Sequence, residues 1–316
     1  MPAILTLPFR FLLKENFQQQ YLAHILGALT VVFTMILSYR IKKDRKLAVW
    51  LGILVGLGSI VWYLSATGSV WYLGQVSSLF FLTAALVESF GKKRPLLMGV
   101  FIGAAFLSRL HTILSLPLFI FLLKVNRKNV LKKLLLLGIG MAPFFLFNFY
   151  YNFIRFETIF DKGYFLVPGI LNEPWFSKGM LSIAYIPEHL RILFLGLPKI
   201  LSQFPHIQPS WYGLSILITT PAFIFAFKAS IKENLTKMLW LSILFIFIII
   251  ALRGGTGWTQ FGYRYAVDFY PFLTVLTIKG VSQTGLKWYH WLLLIFGIVV
   301  NLWGVLWINK FGWVSF

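Results

Sequence analysis

The residues with most to offer chemically lie between Arg253 and Phe272, a short stretch set between two long apolar runs. Gly254, Gly255 and Gly257 permit backbone shapes closed to other residues and let a ligand approach closely. Arg253 and Arg264 present planar forks that match phosphate or pyrophosphate oxygens. Trp258, Tyr263 and Tyr265 can stack on a sugar ring or hold a polyprenyl chain, and Gln260 adds an amide. Asp268 follows Arg264 by four residues; on an α-helix the two share a face and can pair, which would make this a plain interfacial loop. A second group is Arg109 with His111, inside apolar sequence where a cation must be paired or face a cavity. A third follows an apolar run: Asn152 and Arg155 can orient a polar substrate, Tyr164 lies just beyond, and Glu157 and Asp161 are the nearest carboxylates. The bland reading of that third group is a solvated helix end with a turn at Gly163.

These residues need a scaffold, and its composition defines it. Of 316 residues 59% are hydrophobic and only 12% charged, with a mean hydropathy of +0.80. A soluble domain carries about twice that charge, so the chain reads as an all-α polytopic membrane protein. Apolar segments fall at 21–40, 48–66, 69–88, 95–108, 110–123, 133–150, 208–227, 237–252, 267–281 and 287–309, with a partial one at 3–13. About ten transmembrane helices are therefore expected, in a single domain covering 1–316. Segments 95–108 and 110–123 fall short of the ~20 residues of a full crossing and are predicted to form a tight helical hairpin (95–123) bent at Arg109 and His111.

The net charge of +20 does not indicate nucleic acid, because the basic residues are dispersed through short loops. Arg40–Lys46, Lys92–Arg94, Lys124–Lys133, Lys228–Lys237 and Lys279–Lys287 all fall on one side if the segments alternate, which makes that side cytoplasmic. The connections at 151–207 and 253–266, and the C-terminus, are then external. Pro187 and Pro198 bracket an amphipathic stretch, predicted as an interfacial helix over about 180–201 on the outer leaflet. No cysteine is present, so disulfides and thiolate metal sites are excluded. No dinucleotide fingerprint, Walker loop, metalloprotease motif or nucleophile elbow occurs either.

Three segments together resemble the GT-C superfamily of integral-membrane glycosyltransferases, nearest to bacterial relatives of the dolichyl-phosphate-mannose–protein mannosyltransferases. Trp258 to Phe272 is similar to a late W-x-x-F-G-P-R-Y stretch ending in D-x-x-P-F, with Tyr263 in place of proline. Tyr151 to Phe156 with Gly163 and Tyr164 is similar to Y-N-x-x-R-F-G…G-Y, with Glu157 in place of glycine. Gly103 to Arg109 is similar to a G-x-x-x-L-x-R hairpin. The resemblance covers roughly residues 20–310.

It implies inverting transfer of a sugar from a polyprenyl-phosphate donor to a lipid, glycan or protein acceptor on the external face of a prokaryotic plasma membrane. Arg264, Arg109 and Arg253 would bind the donor phosphate; Trp258, Gln260, Tyr265, Asn152, Arg155, Tyr164 and His111 would bind substrate. Some relatives use a divalent metal, for which no dedicated ligand cluster is evident here. The family's base lies in its first external loop, so the N-terminal helix and that loop are expected upstream of Met1. Within the chain the candidate bases are Asp161, Asp268 and Glu157. Two other readings stay open: an O-antigen ligase or polymerase, which wants a larger external loop with paired arginines and a histidine, and a transporter or flippase of lipid-linked sugars. No carboxylate falls in mid-span, which weighs against ion-coupled transport.

Overall fold

The computed structural model describes residues 1–124, 129–257 and 260–312, apart from the side chain of Glu15. In chain order the helices are α1 (Pro2–Leu13), α2 (Gln19–Ile41), α3 (Arg45–Gly56), α4 (Val61–Thr67), α5 (Val70–Ser89), α6 (Pro95–Ser108) and α7 (Leu116–Lys124). They continue as α8 (Val130–Phe156), α9 (Ile186–Leu195), α10 (Ile216–Thr219), α11 (Asn234–Leu252), α12 (Tyr270–Ser282) and α13 (Trp288–Val305). Short 3₁₀ turns join several of them, and one two-stranded antiparallel ribbon pairs Lys199–Ile200 with Ile207–Gln208. The protein is an all-helical membrane protein. Among the described residues, α2, α5, α8, α11 and α13 are long and apolar enough to cross a bilayer, and α3 with α4, bent by 51°, would make a sixth span.

The other apolar segments are shorter than a crossing. Segment 208–227 is broken: α10 has four residues and Pro221 opens a 3₁₀ run, Pro221–Lys228, since proline lacks the N–H that an α-helix would use there. Segment 267–281 begins in 3₁₀ geometry and becomes α12, which is buried on nearly every side. The expected tight hairpin over 95–123 is also revised. Arg109 adopts an extended backbone that ends α6, and a 3₁₀ turn, Leu110–Ser115, leads into α7. That turn touches both α6 and α11, and α7 packs on α11 rather than back along α6, while α6 lies between α5 and α8.

The centre is made by α5 and α12, around which the long outer helices leave broad apolar faces uncovered. Small residues set how closely the helices approach. A Cβ on Gly99 would stand 2.1 Å from the Leu137 carbonyl oxygen, and one on Gly140 would stand 2.2 Å from that of Leu96. The α6–α8 crossing thus brings backbone against backbone, as glycine allows within membranes.

The charge segregation read from the loops has a structural counterpart. Arg40, at the end of α2, donates to the Val87 carbonyl at the end of α5, and nearby Arg94 forms a two-pronged pair with Glu88 (3.0 and 2.8 Å). Lys279 pairs with Glu233, so the end of α12 meets the start of α11. The opposite ends of α5, α11 and α12 converge on the segments singled out above.

The expected helix over 180–201 is present as α9 but is shorter. It follows a 3₁₀ turn, Ile183–Tyr185, carries Pro187 in its first turn, and ends before Pro198. His189, Ile192 and Leu193 bury one face against the protein, whereas Leu190, Phe194 and Leu195 stay exposed.

Gly140→Val should lower detergent-solubilised thermal stability by about 1–3 kcal/mol, because its methyls have nowhere to go. Gly138→Ala, whose Cβ meets nothing within 4 Å, should leave it unchanged. Thermal size-exclusion midpoints of the two variants compare them directly.

Candidate functional site

The centre of the site is Asp268, which is fully buried. Its Oδ2 accepts hydrogen bonds from Arg109 Nε (3.1 Å) and Nη2 (3.0 Å), and His111 Nε2 lies 2.8 Å from the same oxygen. Oδ1 has no hydrogen-bond partner among the described residues. The chain break at Arg109 makes this possible: an extended residue followed by a 3₁₀ turn lets positions 109 and 111 both reach one carboxylate.

This arrangement is not the Arg264–Asp268 pair that an α-helical spacing would have allowed, the bland reading of this stretch. Residues 264–269 form a 3₁₀ helix, not an α-helix. With three residues per turn, position 268 lies about a third of a turn away from position 264. Asp268 therefore serves Arg109 and His111, and Arg264 is left without a carboxylate partner among the described residues. Arg264 is nonetheless 8% exposed. Its Nε donates to Gln260 Oε1 (3.1 Å), and its guanidinium lies over the rings of Tyr265 (5.0 Å) and Tyr72 (5.4 Å). Gln260 is fully used: its Nε2 donates to the carbonyls of Tyr212 and Thr256. It positions Arg264 instead of offering its amide to a substrate.

Arg109, Arg253 and Arg264 line one cavity of about 580 Å³, a size usual for small-molecule sites. Aromatic side chains form much of its wall, among them Trp71, Tyr164, Trp175, Tyr185, Tyr212 and Tyr265. Arg253 stacks over Tyr164 at 4.2 Å. The wall is held by backbone stitching: Gly254 N donates to the Met180 carbonyl (3.1 Å) and Ser182 N to that of Leu252 (2.7 Å). Gly254 has a packing role here, since a Cβ on it would stand 2.4 Å from the Phe176 ring and 2.5 Å from the Trp175 carbonyl. Together with Gly255 (φ +81) it seats the segment Pro174–Phe176, so this part of the glycine run admits another part of the chain before any ligand.

His189 closes the wall from α9. Its Nε2 is 3.0 Å from the Arg253 carbonyl, which can only accept, so Nε2 carries the proton. Nδ1 then accepts from the Tyr263 hydroxyl at 2.6 Å. Burial pushes the Tyr263 pKa well above its ordinary value and that of His189 below its own, so both stay neutral near pH 7. Glu188, beside it, is tied by two hydrogen bonds to Arg191, which hold its carboxylate below the usual range.

Of the residues expected at a site, Arg109, Arg253, Arg264, Tyr164 and Tyr265 come together around the cavity, with His111 one shell behind on Asp268. Others do not contribute to its lining. Asn152 is buried and ties the turn after α8 back to the helix by donating to the Ile159 carbonyl; Arg155 is exposed and rests on Tyr151 and Phe156; Glu157 is the exposed C-cap of α8 in a left-handed conformation. Asp161 accepts from the Gly163 amide, shaping the turn, and is likewise outside the cavity. Asp268 is too enclosed to receive a proton from a substrate. Trp258 lies outside the described residues. Sequence reasoning missed Glu173, Trp175 and His189, which line the cavity from the 151–207 connection; a carboxylate beside Pro174 and Trp175 was the available signal.

Chemically, the cavity offers fixed positive charge at one wall, aromatic faces for a ring, and carboxylates at the rim. Among the described residues no group of three or more His, Asp or Glu is arranged to hold a metal ion. Compared with protein-family models, with curated proteins and with solved structures, the chain matches none.

Two outcomes follow. Asp268→Asn leaves Arg109 and His111 around a neutral group and should lower stability by about 3 kcal/mol, whereas Arg264→Gln, which removes a buried cation that has no carboxylate partner, should leave the thermal midpoint unchanged or raised. Thermal midpoints in one detergent check both. The second concerns pH. The folded-state pKa of His189 is depressed, so the unfolded chain takes up the proton first as pH falls. Its contribution should be constant above the unfolded value, near 6.5, and stability should fall as the pH drops below it. His189→Gln should flatten the midpoint-versus-pH curve between about pH 7.5 and 5.5.

Proposed function

We propose that the protein is a GT-C-type glycosyltransferase. It moves a sugar from a polyprenyl-phosphate donor to an acceptor on the external face of a prokaryotic plasma membrane. The observation that carries this reading is the cavity in which three arginines converge and, among the described residues, only Arg109 is neutralised by a carboxylate. Arg264 is buried against an amide oxygen and aromatic rings that leave its charge uncancelled, Arg253 is half-buried over Tyr164, and a lipid-linked phosphate beside a bilayer would supply the anion that both lack.

In this reading the Arg40 and Arg94 ends of the helices face the cytoplasm, and the cavity and C-terminus face outward. The donor phosphate binds Arg264 and Arg253, with Arg109 held ready by Asp268. The sugar stacks against the aromatic wall. As the bond from the anomeric carbon to the phosphate oxygen breaks, negative charge grows on the leaving phosphate and the fixed guanidiniums stabilise it. The exposed apolar faces of the outer helices leave room for the prenyl chain.

A ligase or polymerase reading is less well supported. His189 does line the cavity beside Arg253, but both of its ring nitrogens are occupied by Tyr263 and the Arg253 carbonyl.

Arg264→Ala and Arg253→Ala test the proposal more cleanly than Arg109→Ala, which would also strip Asp268 of its partner. Each should cut transfer by about 10²–10³-fold, the scale for losing one preorganised charge-stabilising donor, while the protein still inserts and elutes as a folded species. Full transfer by both variants would exclude the reading.

A further inference from the structure

We propose that Glu173 is the general base of this cavity, the group that takes the proton from the acceptor hydroxyl. The proposal rests on the glycosyltransferase reading above. Two carboxylates line the cavity, Glu173 and Glu188. Glu188 is committed to Arg191 through both of its oxygens. Glu173 is exposed and, among the described residues, forms no ion pair, so its oxygens are open to a substrate. The other carboxylates considered are excluded by place: Asp268 is sealed behind Arg109 and His111, while Asp161 and Glu157 lie outside the lining.

The backbone around Glu173 is fixed although its side chain is free. Its own N–H donates to the Ile170 carbonyl and its carbonyl accepts from Phe176 N. Pro174 then locks the start of the next turn, and Trp175 and Phe176 are seated on Gly254 and Gly255, the residues that follow Arg253. The carboxylate is thereby tethered to the segment that carries a phosphate-binding arginine, on a wall it shares with aromatic side chains. A base must lie within reach of the acceptor proton, on the side of the sugar away from the leaving phosphate. Glu173 lines the same cavity as the three arginines, which puts a free carboxylate within the space a bound acceptor would share.

The step balances without a further reactant. The acceptor oxygen forms a bond to the anomeric carbon as its proton passes to a Glu173 oxygen. The bond between that carbon and the phosphate oxygen breaks, and the electron pair leaves with polyprenyl phosphate opposite Arg264 and Arg253. The proton returns to solvent from the exposed rim.

The test uses the purified protein as wild type, Glu173→Gln, Glu173→Asp and Arg264→Ala. Binding of undecaprenyl phosphate is read by tryptophan fluorescence, and turnover by release of undecaprenyl phosphate from undecaprenyl-phosphate hexose with a membrane fraction as acceptor. Glu173→Gln should bind undecaprenyl phosphate within about 3-fold of wild type. Its turnover should fall by about 10²–10⁴-fold, the usual worth of a general base. Glu173→Asp should recover part of the rate. Turnover by Glu173→Gln close to wild type overturns the proposal, as does a loss of binding equal to the loss of rate. If the wild type neither binds nor turns over, the glycosyltransferase reading itself fails and the base falls with it; Arg264→Ala, expected to lose binding, separates the two.

Discussion

The structure depends on one buried carboxylate. Asp268, ahead of α12, holds Arg109 and His111 from the break after α6, residues 159 and 157 positions away in the chain. In a low-dielectric interior neither the carboxylate nor the guanidinium is tolerable alone, so the two must be made together or not at all. That requirement fixes the helix break at Arg109 against the 3₁₀ turn that opens α12. It also sets the depth at which the arginine wall lies. The rest of the cavity is arranged around this closed pair.

Against it stands Arg264, equally enclosed but given only an amide oxygen and two aromatic faces. Stacking on aromatic rings offsets part of the desolvation of a cation, and a neutral acceptor offsets a little more, but neither cancels the charge. A folded protein retains such an imbalance where function asks for it. The two arginines thus divide the work. Arg109 is neutralised and rigid, whereas Arg264 is oriented by Gln260 and leaves its charge available to whatever enters.

The third element is the long connection between α8 and α10, which is more than a covering. Its backbone is stitched to residues 252–254, Trp175 and Phe176 fill the space that glycine leaves at 254 and 255, and His189 links Tyr263 to Arg253. Segments separated by some eighty residues therefore form one wall. Its rim brings Glu173 to face the same cavity as the arginines.

The sequence by itself determined the class of protein and the identity of its chemical residues. Apolar runs of membrane length and basic residues gathered mostly in short loops permit little else, because hydrocarbon admits helices and disfavours charge. Arg109, Arg253, Arg264 and Tyr164 were legible for the same reason: polar groups amid such sequence must have a purpose. The partners were not legible. Spacing placed Asp268 with Arg264, but the tertiary fold tightened the backbone to three residues per turn and handed the carboxylate to Arg109 and His111 instead. Gln260 proved to be a strut, Asn152 a tie to the turn beyond α8, and Glu173 the carboxylate at the rim. Periodicity along one chain reports which face a residue occupies within its own element. Which distant element meets that face is decided only when the helices pack, since the desolvation of each charge depends on neighbours that the local sequence does not contain.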